Sequence, residues 1–247
     1  MASRSEILAF ADTYLDVGAF ADSCPNGLQV VGAAEVESIA CGVSSSLELF
    51  RRAAAGGAQL VLVHHGLFWE RDPSVIDKAM RDRLKVLFDA DLNLVAYHLP
   101  LDAHPEIGNN ALLARALGVR EQTSFAGLGR GGMLQNACPV DDFVARVEGI
   151  VGRTPLLLGG GPPRIERVAV CTGSAASLLR TAAEAGYDCF VTGEPSEPAM
   201  MLAREAGIHL VAAGHYATET FGVRALADRL AAQFNLTSEF IDLPNPV

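Results

Sequence analysis

Four of the six histidines in this 247-residue chain stand at or just after apolar runs that read as β-strands. His64 and His65 close Leu60-Val-Leu-Val63, His98 follows Leu92-Asn-Leu-Val-Ala-Tyr97, and His215 follows Ile208-His-Leu-Val-Ala-Ala213. Two of them have a carboxylate four residues on: His98 with Asp102, and His215 with Glu219. Imidazole and carboxylate together suit Zn, Mn, Fe, Co or Ni, and with no cysteine in the group a structural zinc knot is not indicated. A carboxylate such as Glu219 can bridge two ions about 3.5–4 Å apart, the separation of two-metal hydrolytic sites. Neighbouring strand residues point to opposite faces, so His64 and His65 serve one ion poorly from a regular strand. They can serve two ions if the chain turns, which Gly66 permits. Either His-x-x-x-acid pair alone is equally well a capping acid beside a solvent histidine. Repetition of the pattern at equivalent strand ends favours a metal site. His104 is a weaker candidate in a loop, and His209 reads as a core residue.

The elements that position these residues repeat. Ile39–Gly57 and Val168–Gly186 align without a gap at an offset of 129, and Ala40, Ser45, Leu49, Arg51, Ala53, Ala54 and Gly57 recur as identities. Each copy reads as strand, Gly/Ser turn, helix, glycine stop and second strand, a βαβ unit with parallel strands and a right-handed crossover. Shared composition of βαβ units is the competing explanation. A second correspondence, Leu92–Tyr97 with Ile208–Ala213, favours duplication. The expected architecture is α/β: two similar three-layer α/β units related by internal duplication, 1–123 carrying His-His and His-x-x-x-Asp, and 124–247 carrying His-x-x-x-Glu. The glycine-rich stretch Thr123–Pro163 reads as a linker and opening elements, with a short strand at Met133-Leu134 and a helix over Asp141–Val151.

Composition sets the outer limits. Half the residues are hydrophobic and 19% are charged, enough for a buried core and opposite to the balance of a disordered chain. No apolar run approaches the roughly 18 residues of a membrane span, and the N-terminus lacks the basic head and apolar block of a signal peptide. The net charge of −10 opposes general binding to nucleic acid or to an anionic membrane. The five cysteines form no C-x-x-C pair and read as buried small hydrophobes, so a reducing, cytoplasmic setting is the expectation.

Three further residues could meet a substrate. Arg130, within Gly127-Leu-Gly-Arg-Gly-Gly132, could join backbone N–H groups in holding an anion, or could lie in a simple surface turn. Phe68 and Trp69, just after the histidine pair, could stack on a planar ligand or pack against protein. The glycine stretch matches G-x-G-x-x-G by letter only. No strand is expected before it and no helix after it, so a dinucleotide fold is not indicated.

Several longer stretches carry a family resemblance: Asn26-Gly-Leu-Gln-Val30, Val63-His-His-Gly-Leu-Phe-Trp69, His98-Leu-Pro-Leu-Asp-Ala-His-Pro-Glu-Ile-Gly-Asn-Asn110, Thr192-Gly-Glu-Pro-Ser-Glu197, Gly214-His-Tyr-Ala-Thr-Glu219 and Phe240-Ile-Asp-Leu-Pro-Asn-Pro246. Over nearly its whole length the chain resembles the Nif-three-like proteins, and among them the bacterial YbgI-type members labelled GTP cyclohydrolase I type 2 homologues. The resemblance implies two α/β domains with a dinuclear metal centre between them. It assigns His64, His65, Asp102, His215 and Glu219 as ligands of two divalent transition-metal ions (Zn, Fe, Mn, Ni or Co). It makes His98 a further ligand or a group beside the metals, where an unliganded imidazole could shuttle a proton. It also implies a toroidal homohexamer, a trimer of dimers. The function it suggests is a metal-dependent, cyclohydrolase-like hydrolase of a small anionic or heterocyclic substrate. The alternative is a non-catalytic metal-binding, metal-delivery or structural ring protein. Pro195 and Pro198 depart from the family pattern around Ser196-Glu197.

Overall fold

The computed structural model describes all 247 residues, in two compact units: Met1–Leu101 with Gly222–Leu243, and Asp102–Phe221 with Pro244–Val247. The first unit contains β1 (Ala2–Ser3), α1 (Arg4–Tyr14), β2 (Gly27–Val30), β3 (Glu35–Val36), β4 (Ser38–Ser44), α2 (Leu47–Ala55), β5 (Leu60–His65), α3 (Lys78–Asp89) and β6 (Asn93–Ala96). Helix α4 (Leu99–Ala103) carries the chain into the second unit. There follow α5 (Asn109–Ala116), β7 (Val119–Phe125), β8 (Gly129–Pro139), α6 (Val140–Val151), β9 (Leu156–Leu158), β10 (Arg164–Cys171), α7 (Leu179–Glu184), β11 (Cys189–Thr192), α8 (Ala199–Ala206), β12 (His209–Ala212) and α9 (His215–Thr218). Helix α10 (Thr220–Phe234) and β13 (Thr237–Phe240) complete the first unit.

The main sheet of the first unit runs β13-β4-β5-β6-β2, and that of the second runs β7-β8-β10-β11-β12-β9. Each contains three adjacent parallel strands, β4-β5-β6 and β10-β11-β12, with an antiparallel strand beyond the third. Ile39 pairs with Leu60 and Val168 with Cys189, so the register of the first strand pair is also repeated at the offset of the sequence repeat. The repeat glycines have one physical reason: Gly57 has φ +72° and Gly186 φ +76°, a left-handed conformation that ends the crossover helix and that L side chains rarely adopt. The first crossover helix is also capped, Ser46 Oγ accepting from the Leu49 N–H, and it buries Leu49, Phe50 and Ala53 against the sheet. In the second unit Val168, Val170, Val191 and Val211 enter one core with Phe143 and Val147, while Ala169, Phe190, Leu210 and Ala212 enter another with Leu179 and Ala203. Alternate residues therefore bury opposite faces, as expected of parallel strands covered on both sides.

The division at 123/124 expected from the sequence is corrected on two counts. The chain crosses near 101/102, because β7 and β8 hydrogen-bond into the second sheet; residues 222–243 return to the first unit, because β13 pairs in parallel with β4. The first part of the expected linker is likewise a long antiparallel hairpin of β7 and β8, with the expected Met133-Leu134 strand inside it, and the helix expected over Asp141–Val151 is α6. No helix is long and apolar enough to cross a membrane.

Cys24, Cys41, Cys171 and Cys189 are buried and Cys138 is half-buried. Burial pushes all four buried thiols up; Cys41 and Cys171 each reach about 12. A thiol-reactive disulfide reagent at pH 8 is therefore expected to label one cysteine per native chain rapidly, Cys138, and all five after denaturation. Rapid labelling of two or more would contradict this account of the cores.

Candidate metal centre

In the first unit the parallel strands β5 and β6 deliver three imidazoles to one place. The strand run of β5 ends at His65, and the rings of His64 and His65 lie 4.7 Å apart at 45° rather than on opposite faces of a continuing strand. The His98 ring, two residues beyond β6, is 5.0 Å from that of His64 and 5.8 Å from that of His65. One nitrogen from each of the three falls within 4.8 Å of the others.

Each ring is held by its Nδ1. The His64 Nδ1 is 2.9 Å from the Tyr97 carbonyl, which only accepts, so Nδ1 carries the proton and Nε2 the lone pair. The His65 Nδ1 is 2.9 Å from Ser44 Oγ, and the His98 Nδ1 donates to Asp22 Oδ1 at 2.8 Å. Asp22 also accepts from the backbone N–H groups of Cys24 and Leu99 and from Asn26 Nδ2. Burial opposes its ionisation, but the bonds from His98, Asn26 and the backbone outweigh burial and hold its carboxyl well below the usual carboxylate range. Trp69 lies edge-on to His98 at 5.1 Å, anchored by its Nε1–H on the Gly66 carbonyl. With Phe68, Pro73, Val75 and Ile76 it lines a small cavity of about 170 Å³.

In the second unit two carboxylates and one imidazole gather where β10, β11 and β12 end. A carboxylate oxygen of Asp102 lies within 4.8 Å of one of Glu219, and His215 Nε2 is 3.1 Å from Glu219 Oε2. Asp102 Oδ1 accepts from Asn109 Nδ2 at 2.8 Å and from Thr172 Oγ1 at 3.3 Å, which fixes its orientation. The other face of His215 is taken by Glu194, which accepts from Nδ1. Burial favours the neutral ring, yet the bonds to Glu219 and then Glu194 carry the His215 pKa to about 9. The pair Asp102 and Glu219 is felt at Cys171, where their charges add to burial in raising the thiol.

The donors fit a metal by an independent sign. A Cβ at Gly173, which has φ +67°, would collide with Glu219 Oε1 and lie 3.3 Å from His215 Nε2. The backbone thus makes room at this point for a carboxylate and an imidazole nitrogen side by side. The groups of His, Asp and Glu whose donor atoms lie within 4.8 Å of one another are drawn from all six candidates: His64, His65, His98, Asp102, His215 and Glu219.

Other candidates have other places. Arg130 lies in β8 opposite Val170, not in a free loop, and donates from Nη2 to the Ala103 carbonyl at 2.7 Å, next to Asp102. Its buried Nε has no hydrogen-bond partner. His104 Nδ1 accepts from the backbone of Glu106 and Ile107, a local turn. His209 is buried and bonded to the Pro162 carbonyl, a core histidine as expected. Sequence reasoning missed the groups that orient the ligands, Asp22 and Glu194, although Glu194 stands inside the Thr192–Glu197 stretch. Pro198 stands immediately before α8 with φ −72°, the value its ring imposes, so it does not interrupt the helix.

A doubly sheeted α/β chain with these donors is matched over residues 2–246 by the family model Duf34/NIF3 (NGG1p interacting factor 3). The chain belongs to this family. A relative from Pseudomonas aeruginosa, named GTP cyclohydrolase 1 type 2 homolog, is 46% identical over 98% of each chain. The solved structure of protein ybgI superposes with a TM-score of 0.96 at 43% identity, and that of TTHA1606 from Thermus thermophilus with 0.94 at 38%, each covering 100% of both chains.

Proposed function

We propose that the protein is a metal-dependent hydrolase of a small anionic or heterocyclic substrate, cyclohydrolase-like in its chemistry. In this reading His64, His65, Asp102, His215 and Glu219 hold two divalent transition-metal ions. The carrying observation is the triple of imidazoles, each fixed through Nδ1 and gathered within 4.8 Å, with Glu219 close both to Asp102 and to His215 in the same chain. Two such ions supply Lewis acidity and a water that ionises near neutral pH. The chain's own groups do the rest. With Nδ1–H committed to Asp22, the atom of His98 that takes or gives a proton is Nε2. Trp69 and Phe68 offer flat apolar surface to a heterocycle beside that imidazole. Arg130, engaged by Ala103 on one nitrogen, keeps other donors for an anionic group. The ring assembly is part of the same proposal, and light scattering would then give six times the chain mass of 26.0 kDa.

Elemental mass spectrometry on untagged protein tests the metal. Close to two ions per chain in the wild type, lost in both His64→Ala and Glu219→Gln, is the expected result. Metal content indifferent to both substitutions would overturn the assignment. Turnover of nucleotides, phosphoesters or cyclic amides by the loaded protein supports the hydrolase. Two tightly held ions with no turnover across that panel would favour the non-catalytic reading, a metal-delivery or structural protein.

A further inference from the structure

We propose that Glu194 is a positioning residue for the metal: its carboxylate sets the tautomer and the aim of His215. The inference rests on the metal-centre reading of His215 and extends it to a group outside the ligand set. The Glu194 carboxylate accepts from His215 Nδ1, so the ring is held on that side and Nε2, which faces Glu219 3.1 Å away, is the nitrogen left for a metal. A histidine ligand whose second nitrogen donates to a carboxylate is both oriented and made more basic.

The backbone shows why Glu194 and not a mobile acid does this. The N–H groups of Gly193 and Glu194 both donate to the Gly173 carbonyl, and the Gly214 N–H donates to the Gly193 carbonyl. Thr192 Oγ1 adds a bond to the same Gly173 carbonyl and accepts from the Ala175 N–H. The turns after β10, β11 and β12 are thereby stitched together directly beneath His215. Gly193 is held so close that a Cβ there would lie 2.7 Å from both Gly173 O and His215 Cα. The carboxylate therefore starts from a fixed point one residue from this contact. Its side chain is about a third exposed (32%), so truncation removes the bond to His215 without opening a core cavity.

The test is a Co²⁺ titration of the metal-stripped full chain, read by visible absorption and by calorimetry, on wild type, Glu194→Ala, Glu194→Gln and His215→Ala. Expected is a loss of affinity of about 10- to 100-fold in Glu194→Ala with a changed cobalt spectrum, and a smaller loss in Glu194→Gln, whose amide oxygen still accepts from Nδ1. Far-UV circular dichroism and the melting temperature of the stripped proteins should stay at wild-type values. Affinity and spectrum of Glu194→Ala within twofold of wild type, while His215→Ala loses metal, would overturn the positioning role and leave the metal centre standing. Failure of the wild type itself to bind Co²⁺ would remove the metal-centre reading, and this inference with it. If Glu194→Ala proves misfolded, Glu194→Gln decides: affinity equal to wild type together with an unchanged spectrum counts against the role, and a measurable loss supports it.

Discussion

Asn110→Ala should lower the stability of the second unit by about 3–5 kcal/mol, more than any single surface change. Asn110 is 1% exposed and satisfies three backbone groups. Its Oδ1 accepts from the Thr172 N–H at 2.7 Å, and its Nδ2 donates to the carbonyls of Asp102 and Leu128. Alanine strands the Thr172 donor in a dry interior, a cost of about 1–3 kcal/mol, and leaves each carbonyl short of a bond at roughly 1 kcal/mol apiece. The measurement is urea unfolding followed by far-UV circular dichroism, with the midpoint falling and the slope unchanged. A loss below about 1 kcal/mol would mean that water replaces the amide at this buried position. The substitution also bears on the metal candidates, because Thr172 and the Asp102 backbone are both released. Metal affinity should fall with stability, whereas a core substitution of equal cost should spare it.

Phe190→Ala supplies that control. Phe190 is fully buried in β11, packed with Phe125 at 5.8 Å and with Leu179, Ala203 and Leu210. Truncation of a buried phenylalanine costs about 3–5 kcal/mol, the hydrophobic transfer of the ring plus the unfilled space. It touches no hydrogen bond of the candidate ligands. Circular dichroism should report the loss. Trp69, the single tryptophan, lies in the first unit, and its native emission should be unchanged. A stable Phe190→Ala protein, within about 1 kcal/mol of wild type, would show that the neighbouring Phe125 and Leu179 collapse into the space.

Much of this was readable before any coordinates, for identifiable reasons. The runs Leu60–Val63 and Leu210–Ala213 are continuously apolar, and the chain at or just after the end of each places its histidines. Local periodicity and glycine stops suffice for that. Legibility ended where contacts became remote. Asp22 meets His98 across 76 residues and Glu194 meets His215 across 21, and no spacing rule links either pair. The hairpin of β7 and β8 was hidden by its glycines and charges: Gly131 and Gly132 are required because a Cβ would strike Tyr187 and the Arg120 carbonyl, yet glycine reads as loop. The unit boundary failed for a similar reason, since nothing local in Thr237–Phe240 announces a partner at Ser38–Cys41.

That last pairing has a consequence for biosynthesis. Strands β4 and β13 are joined in register across about 200 residues, among the longest sequence separations a chain of this size permits. As the polypeptide leaves the ribosome, β4 has its partner β5 within seconds, but its other edge waits until nearly all the remaining chain has been translated. Meanwhile residues 102–221 are contiguous and can condense on their own. The nascent protein thus passes through a stage with one unit almost complete and the other carrying an unpaired strand edge, a template for intermolecular pairing. Slow translation or crowding of nascent chains should penalise the N-terminal sheet first, and a trigger-type chaperone would find its substrate there.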